Sequence, residues 1–154
     1  MPAAILFSVQ AEDFDLAAEV EGVKRRSGGA GAIVTFTGIC RDDGGRLAAL
    51  ELEHYPGMAE NEILRIAEEA AERWPVTAIT VIHRTGKVPA GANIVLVVTA
   101  SAHREAAFAA ASFLMDFLKT HAPFWKKEHL VSGGEGPWVS AKAEDDSATD
   151  RWRR

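Results

Sequence analysis

One segment in the C-terminal half organises the fold, Phe113-Leu-Met-Asp-Phe-Leu-Lys-Thr-His-Ala-Pro-Phe-Trp-Lys-Lys-Glu128. Its first half continues an apolar helical pattern that begins after Ser101 and ends at about Lys119. Pro123 cannot continue that helix, so the chain must turn there. A turn at this point would bring the amines of Lys119 and Lys126 together beside two aromatic rings. The segment therefore predicts a pocket for an anion, and the alternative is a solvated helix end.

Outward from this segment, strand and helix patterns alternate. Apolar and β-branched runs predict strands over residues 3–9, 32–39, 49–55, 77–83, 93–100, 128–131 and 138–141. Helices are predicted after Asp13 or Asp15, from Met58 to Trp74, and from Ser101, read as an N-cap, to about Lys119.

The order of these elements is β-α-β-β-α-β-β-α-β-β. The connection Thr85–Gly91 is too short for a crossover helix, so the strands on either side of it are predicted to be antiparallel. The pattern indicates an α+β fold with a mostly antiparallel sheet and about three helices. Residues 1–142 are expected to form a single domain, and residues 143–154 a charged, flexible tail.

Composition excludes several classes of function. The net charge of −5 disfavours nucleic acid as a partner, because phosphate backbones require a basic face. No apolar run approaches the length of about 18 residues that a membrane span needs. The N-terminus lacks a signal-peptide pattern, and Cys40 is the only cysteine, so a cytoplasmic location is expected.

Three further features bear on chemistry. Arg104 lies at the predicted N-terminus of a helix, where backbone N–H groups favour an anion, although it could simply pair with Glu105. Arg41 ends a strand and could instead pair with a neighbouring aspartate. Cys40 could be a nucleophile, but a lone cysteine after an apolar strand is more typical of a core. The five histidines have no metal-binding spacing, and neither a metal nor a cofactor is expected.

Several blocks of the chain together resemble one known family, the catalytic (large) subunit of molybdopterin synthase. The resemblance covers residues 31 to about 142 and rests on these motifs: Gly31-Ala-Ile-Val-Thr-Phe-Thr-Gly38 with Arg41, Leu52-Glu-His-Tyr-Pro-Gly-Met58, Arg73-Trp-Pro75, Val81-Ile-His-Arg84, Thr99-Ala-Ser-Ala-His-Arg104 and Lys119-Thr-His-Ala-Pro-Phe-Trp-Lys-Lys-Glu128.

The resemblance implies an α/β-hammerhead-type fold and a homodimer within a heterotetramer. The implied partner is a small ubiquitin-like sulfur-carrier subunit whose C-terminal Gly-Gly ends in a thiocarboxylate. The implied reaction transfers two sulfurs from this carrier to cyclic pyranopterin monophosphate and forms the dithiolene of molybdopterin.

The resemblance also implies roles for individual residues. Lys119 would lie against the thiocarboxylate, and Lys126 would donate a proton or stabilise charge at the pterin. The substrate site would be lined by Ile39, Cys40, Arg41, His103, Arg104, Lys127 and Glu128. Two other readings stay open: a non-catalytic module that binds a partner's C-terminal carboxylate, and a phosphate-ester enzyme that uses residues 101–104.

Overall fold

The computed structural model describes residues 2–120, 124–139 and 151–152. Within them are three helices, α1 (Leu16–Ser27), α2 (Met58–Arg73) and α3 (Arg104–Thr120). The eight strands are β1 (Ala4–Gln10), β2 (Ala32–Ile39), β3 (Leu47–His54), β4 (Val76–Arg84), β5 (Gly86–Pro89), β6 (Asn93–Ser101), β7 (Phe124–Leu130) and β8 (Glu135–Val139). The predicted α+β class and the three helices are confirmed.

The first sheet has the order β1-β4-β6-β2 and helices on both faces. Strand β4 pairs in parallel with β1. It pairs antiparallel with β6, which confirms the prediction from the short connection between those two strands. Alternate residues of β4 enter different cores: Ile79 and Val81 pack with α2 and α3, whereas Ala78 and Ile82 pack with Val23 of α1. Because both faces are covered, β4 and β6 are continuous apolar runs.

The second sheet has the order β5-β3-β7-β8 and is antiparallel throughout. This sheet corrects three predictions. The sequence indicated a single sheet, and it indicated only a connection where β5 lies. Strand β7 also begins at Phe124, earlier than the predicted residue 128, because it pairs with β3 from His54 to Leu47. Residues 124–128 therefore belong to an extended strand, although Lys126, Lys127 and Glu128 hide the alternation of apolar and polar side chains.

Helix α3 begins later than predicted, and Ser101 is not its N-cap. Ser101 is the last residue of β6, is buried, and donates its hydroxyl to the carbonyl of His103. An N-cap side chain would instead accept from a backbone N–H of the first turn. Phe113 and Leu114 are fully buried along the inner face of α3, whereas Phe108 of the same helix is 61% exposed.

Arg151 and Trp152 pack against α2 and α3. The indole of Trp152 meets the rings of Trp74 and Phe113 edge-on, with centroids 5.6 and 5.7 Å away. Arg151 pairs with Asp116 at 2.8 Å. Residues 140–150 and 153–154 lie outside the described residues, so for them the flexible tail stays a prediction.

No helix in the described part of the chain is long and apolar enough to cross a membrane.

Candidate active site

A cavity of about 130 Å³ lies between the two sheets, where α3 ends. Its walls are mainly apolar and come from β2, β3, β6 and α3, and its charged residues are Lys119 and Lys126. The lining consists of Phe36, Gly38, Ile39, Leu50, Leu52, His83, Ile94, Val95, Met115, Leu118, Lys119, Phe124 and Lys126. Apolar walls lower the local dielectric and so strengthen the attraction between a lysine charge at the cavity and an anion that enters it.

The two lysines reach this cavity from different elements. Lys119 occupies the last turn of α3, and Lys126 lies on β7 opposite Leu52 of β3. Side chains alternate along a strand, so Lys126 shares its face of β7 with the buried Phe124. Both lysines therefore line one cavity. Pro123, predicted to turn the chain between them, lies outside the described residues.

A second pocket, of about 360 Å³, adjoins the cavity and shares Ile39 and Lys126 with it. It also contains three more of the sequence-predicted site residues, Cys40, Arg41 and Glu128. The Arg41 side chain is 85% exposed and lies 4.0 Å from Asp43. The structure thus places these four predicted residues, Ile39 included, beside Lys126.

Arg46 was missed by the sequence interpretation. Its guanidinium contacts Asp43 at 2.7 Å and Glu128 at 3.2 Å. These contacts hold the turn after Arg41 against β7, so Arg46 fixes one wall of the second pocket. The only signal in the sequence is an arginine after a glycine-rich turn, which is too common to indicate this role.

Lys127 lies on the opposite face of β7 from Lys126. Its amine pairs with Glu135 at 3.0 Å and lies 5.4 Å from the centre of the Trp138 ring. Lys127 lines neither the cavity nor the second pocket. Its predicted place in the site is therefore not found in this chain, because adjacent residues of a strand point to opposite faces.

His103 and Arg104 also lie outside the lysine cavity. Arg104 begins α3 and Lys119 lies in its last turn, so they are separated by about 22 Å at 1.5 Å per residue. His103 and Arg104 instead line a separate surface depression with Glu105 and Phe108. Within one chain, they do not complete the pocket as predicted.

Cys40 lines the second pocket but is poorly suited to nucleophilic chemistry. It is 2% exposed, and burial raises the pKa of its thiol. A raised pKa keeps the sulfur protonated, whereas the thiolate is the nucleophile. The structure therefore favours the reading of Cys40 as a small core residue.

We expect Cys40→Ala to retain most of the sulfur-transfer activity that the family resemblance implies, because the implied carrier, and not Cys40, supplies the sulfur. Steady-state product formation by the variant and the wild type measures this. Complete loss of activity in a variant that still folds would show that sulfur chemistry passes through Cys40.

His83 is a buried cavity residue that the sequence interpretation did not select. Its ring stacks on Phe124, with centroids 3.9 Å apart and planes at 14°. Its Nδ1 lies 2.8 Å from the carbonyl oxygen of Arg84. Burial, with smaller effects from Lys126 and His54, lowers the pKa of His83 to about 4. A lone histidine in an apolar strand gives no signal of this placement.

The neutral His83 should make the fold less stable in acid. Its pKa of about 4 in the folded chain is below the ordinary 6.5, so the unfolded chain binds the proton first as the pH falls. The contribution of neutral His83 to stability is therefore fully present above pH 6.5 and is lost as the pH falls toward 4. Between about pH 7 and about pH 5, the free energy of unfolding should fall by about 2 kcal/mol because of this group. Urea unfolding at both pH values, compared with His83→Asn, isolates this contribution. An equal loss in the variant would contradict it.

Among the described residues, no group of three or more His, Cys, Asp and Glu side chains could hold a metal ion. Asp43 and Glu128, the two acids of the adjoining second pocket, both pair with Arg46.

Comparison with known proteins identifies the family. The family model described as MoaE protein matches residues 9–121. A relative from Rhizobium meliloti is 61% identical over 154 residues, which cover 100% of this chain and 99% of the relative. Another from Brucella melitensis is 61% identical over 145 residues, 94% of this chain and 89% of the relative. Both are named molybdopterin synthase catalytic subunit.

A solved structure has the same fold. The molybdopterin biosynthesis MoaE protein from Burkholderia ambifaria is 46% identical, with a TM-score of 0.82, and the match covers 97% of each chain. Sequence and fold thus agree over nearly the whole length, and this chain belongs to the MoaE protein family.

Proposed function

We propose that Lys119 and Lys126 are the catalytic residues of this chain, which acts as the catalytic subunit of a molybdopterin synthase. The proposal rests on one observation: lysine side chains from the end of α3 and from β7 line the same mainly apolar cavity. Two cations in such a cavity favour the approach of anionic reactants and stabilise negative charge that develops during reaction.

The reactants that we propose are both anions. One is the C-terminal thiocarboxylate of a small ubiquitin-like carrier subunit, and the other is cyclic pyranopterin monophosphate. The relatives are called catalytic subunits, a description that requires at least one further subunit. Because the carrier brings the sulfur, this chain needs no nucleophilic cysteine, in agreement with the buried thiol of Cys40.

The two lysines have different proposed tasks. Lys119 pairs with the thiocarboxylate and holds the end of the carrier tail at the cavity. Lys126 borders both the cavity and the second pocket. A pterin that extends from the second pocket into the cavity would meet the tail beside Lys126, which there donates a proton or stabilises charge. Ile39, Cys40, Arg41 and Glu128 form the wall beside the pterin.

His103 and Arg104 require a second copy of the chain if they contribute to the site. Their end of α3 lies about 22 Å from Lys119 along the helix axis, too far for either side chain to reach the cavity of its own chain. A homodimer that brings this end of α3 to the neighbouring cavity would satisfy the role that the family resemblance implies for them. The proposed assembly is such a dimer with two carriers.

Product formation in a defined mixture tests the proposed function. The purified chain, thiocarboxylated carrier and cyclic pyranopterin monophosphate should yield molybdopterin, and carrier with an ordinary C-terminal carboxylate should yield none. A non-catalytic tail-binding module would bind both forms of the carrier and yield product with neither. Binding of simple phosphate esters near Arg104 without the carrier would instead favour a phosphate-ester enzyme.

A further inference from the structure

The lysine cavity contains one neutral hydrogen-bond acceptor among its described side chains, the imidazole of His83. Lys119 and Lys126 carry only donors when protonated, and the other lining side chains are apolar. A ligand in this cavity can place anionic groups against the lysines. Any N–H or O–H donor that it buries there needs an acceptor, because an unpaired buried donor is costly.

The hydrogen bond at Nδ1 determines which nitrogen of His83 is the acceptor. The carbonyl oxygen of Arg84 can only accept, so Nδ1 carries the hydrogen and donates across the 2.8 Å contact. In the neutral ring, Nε2 then carries the lone pair. Stacking on Phe124 at 3.9 Å prevents the ring from turning away.

The Nε2 atom has no hydrogen-bond partner among the described residues, although His83 is only 7% exposed. The one fully enclosed side-chain N or O atom without a partner in the described part of the chain is Thr77 Oγ1. Nε2 is therefore not sealed inside the core. His83 lines the cavity, so the cavity is the space from which a ligand can reach this nitrogen.

We propose that Nε2 of His83 accepts a hydrogen bond from an N–H or O–H group of the small-molecule substrate, which gives the cavity a subsite for the donor edge of a polar heterocycle. The lysines attract any anion of suitable size, whereas a fixed acceptor selects ligands that present a donor beside the anionic group. His83 thus supplies orientation and selectivity, and the lysines supply charge.

The inference rests on the proposed function, since it takes cyclic pyranopterin monophosphate as the ligand. Two substitutions distinguish the roles of Nδ1 and Nε2 of His83. His83→Asn keeps an N–H close to the Arg84 carbonyl and removes the acceptor at Nε2. His83→Gln returns an amide oxygen near the position of Nε2 and serves as the matched control.

Calorimetric binding of cyclic pyranopterin monophosphate, with carboxylate-form carrier present to prevent turnover, gives the direct readout. We expect His83→Asn to weaken pterin binding by about threefold to tenfold, the range for one neutral hydrogen bond. His83→Gln should recover most of this loss, and carrier binding should be unchanged in both variants. An unchanged pterin dissociation constant in a folded His83→Asn protein would overturn the inference.

A nitrogen NMR measurement on the wild type keeps the test decisive if the variants do not fold. The Nε2 resonance should shift when the pterin is added, whereas the Nδ1 resonance stays in place. A stationary Nε2 resonance with pterin bound would reject the subsite. Failure of the proposed function looks different: either the wild type would form no molybdopterin from thiocarboxylated carrier, or Lys119→Ala would retain product formation, whatever happens at His83.

Discussion

Lys119→Ala is expected to abolish molybdopterin formation while the protein stays folded. The substitution removes the amine that we assign to the thiocarboxylate, and loss of one such charge-stabilising donor reduces kcat by at least about 10²-fold. Lys119 lies exposed at the end of α3, so its truncation should change the free energy of unfolding by no more than about 0.5 kcal/mol. Single-turnover assays with thiocarboxylated carrier measure the loss.

Lys127→Ala is the matched control for this result. It also removes a lysine amine, but that amine lies on the face of β7 opposite to Lys126 and pairs with Glu135. Activity close to that of the wild type is expected. If both variants lose activity equally, the general charge of the segment matters and the assignment to the cavity is wrong. Full product yield from Lys119→Ala would also refute the assignment.

Phe113→Ala is expected to cost about 3–5 kcal/mol of unfolding free energy, the usual range for removing a buried ring. Phe113 is fully buried. Its ring meets Trp74, Phe117 and Trp152 at centroid distances of 5.4, 4.7 and 5.7 Å. The ring thereby links α2, α3 and the described end of the chain. Because Lys119 lies in the last turn of α3, loss of this packing should also lower molybdopterin formation.

Phe108→Ala is the control that removes an exposed ring from the same helix, so it shows whether the loss in Phe113→Ala comes from burial. Phe108 belongs to the same helix but is 61% exposed, so its removal should change stability by only about 0.5 kcal/mol. Urea unfolding of the two variants side by side gives the comparison. Similar losses would show that Phe113 is not the packing centre of α3.

Local patterns were sufficient to predict much of the fold. The short punctuated connection after β4 correctly indicated its antiparallel pairing with β6, and the apolar period of α2 gave its extent nearly to the residue. The second sheet could not be read in this way. Lys126 and Lys127 make the sequence of β7 look like a polar turn. The pairing that makes it a strand is with β3, 70 to 83 residues earlier.

The site was partly predictable for the same reason. Lys119 and Lys126 could be selected because a helix end, a proline and aromatic residues lie close together in sequence. The opposite orientation of Lys127 required the register of β7, and the separation of Arg104 from Lys119 required the full length of α3. His83 belongs to the Val81–Arg84 block of the family resemblance, but no spacing in the sequence indicates its place in the cavity, which depends on stacking against Phe124 and on a contact with a backbone carbonyl.

The location of the carrier's C-terminus tests the central claim most directly. A crystal structure of this chain with the carrier subunit should show the terminal glycine within hydrogen-bond distance of Lys119 Nζ, in the cavity that Lys126 also lines. A terminus bound elsewhere, for example against Arg104 with no lysine cavity beside it, would contradict the account.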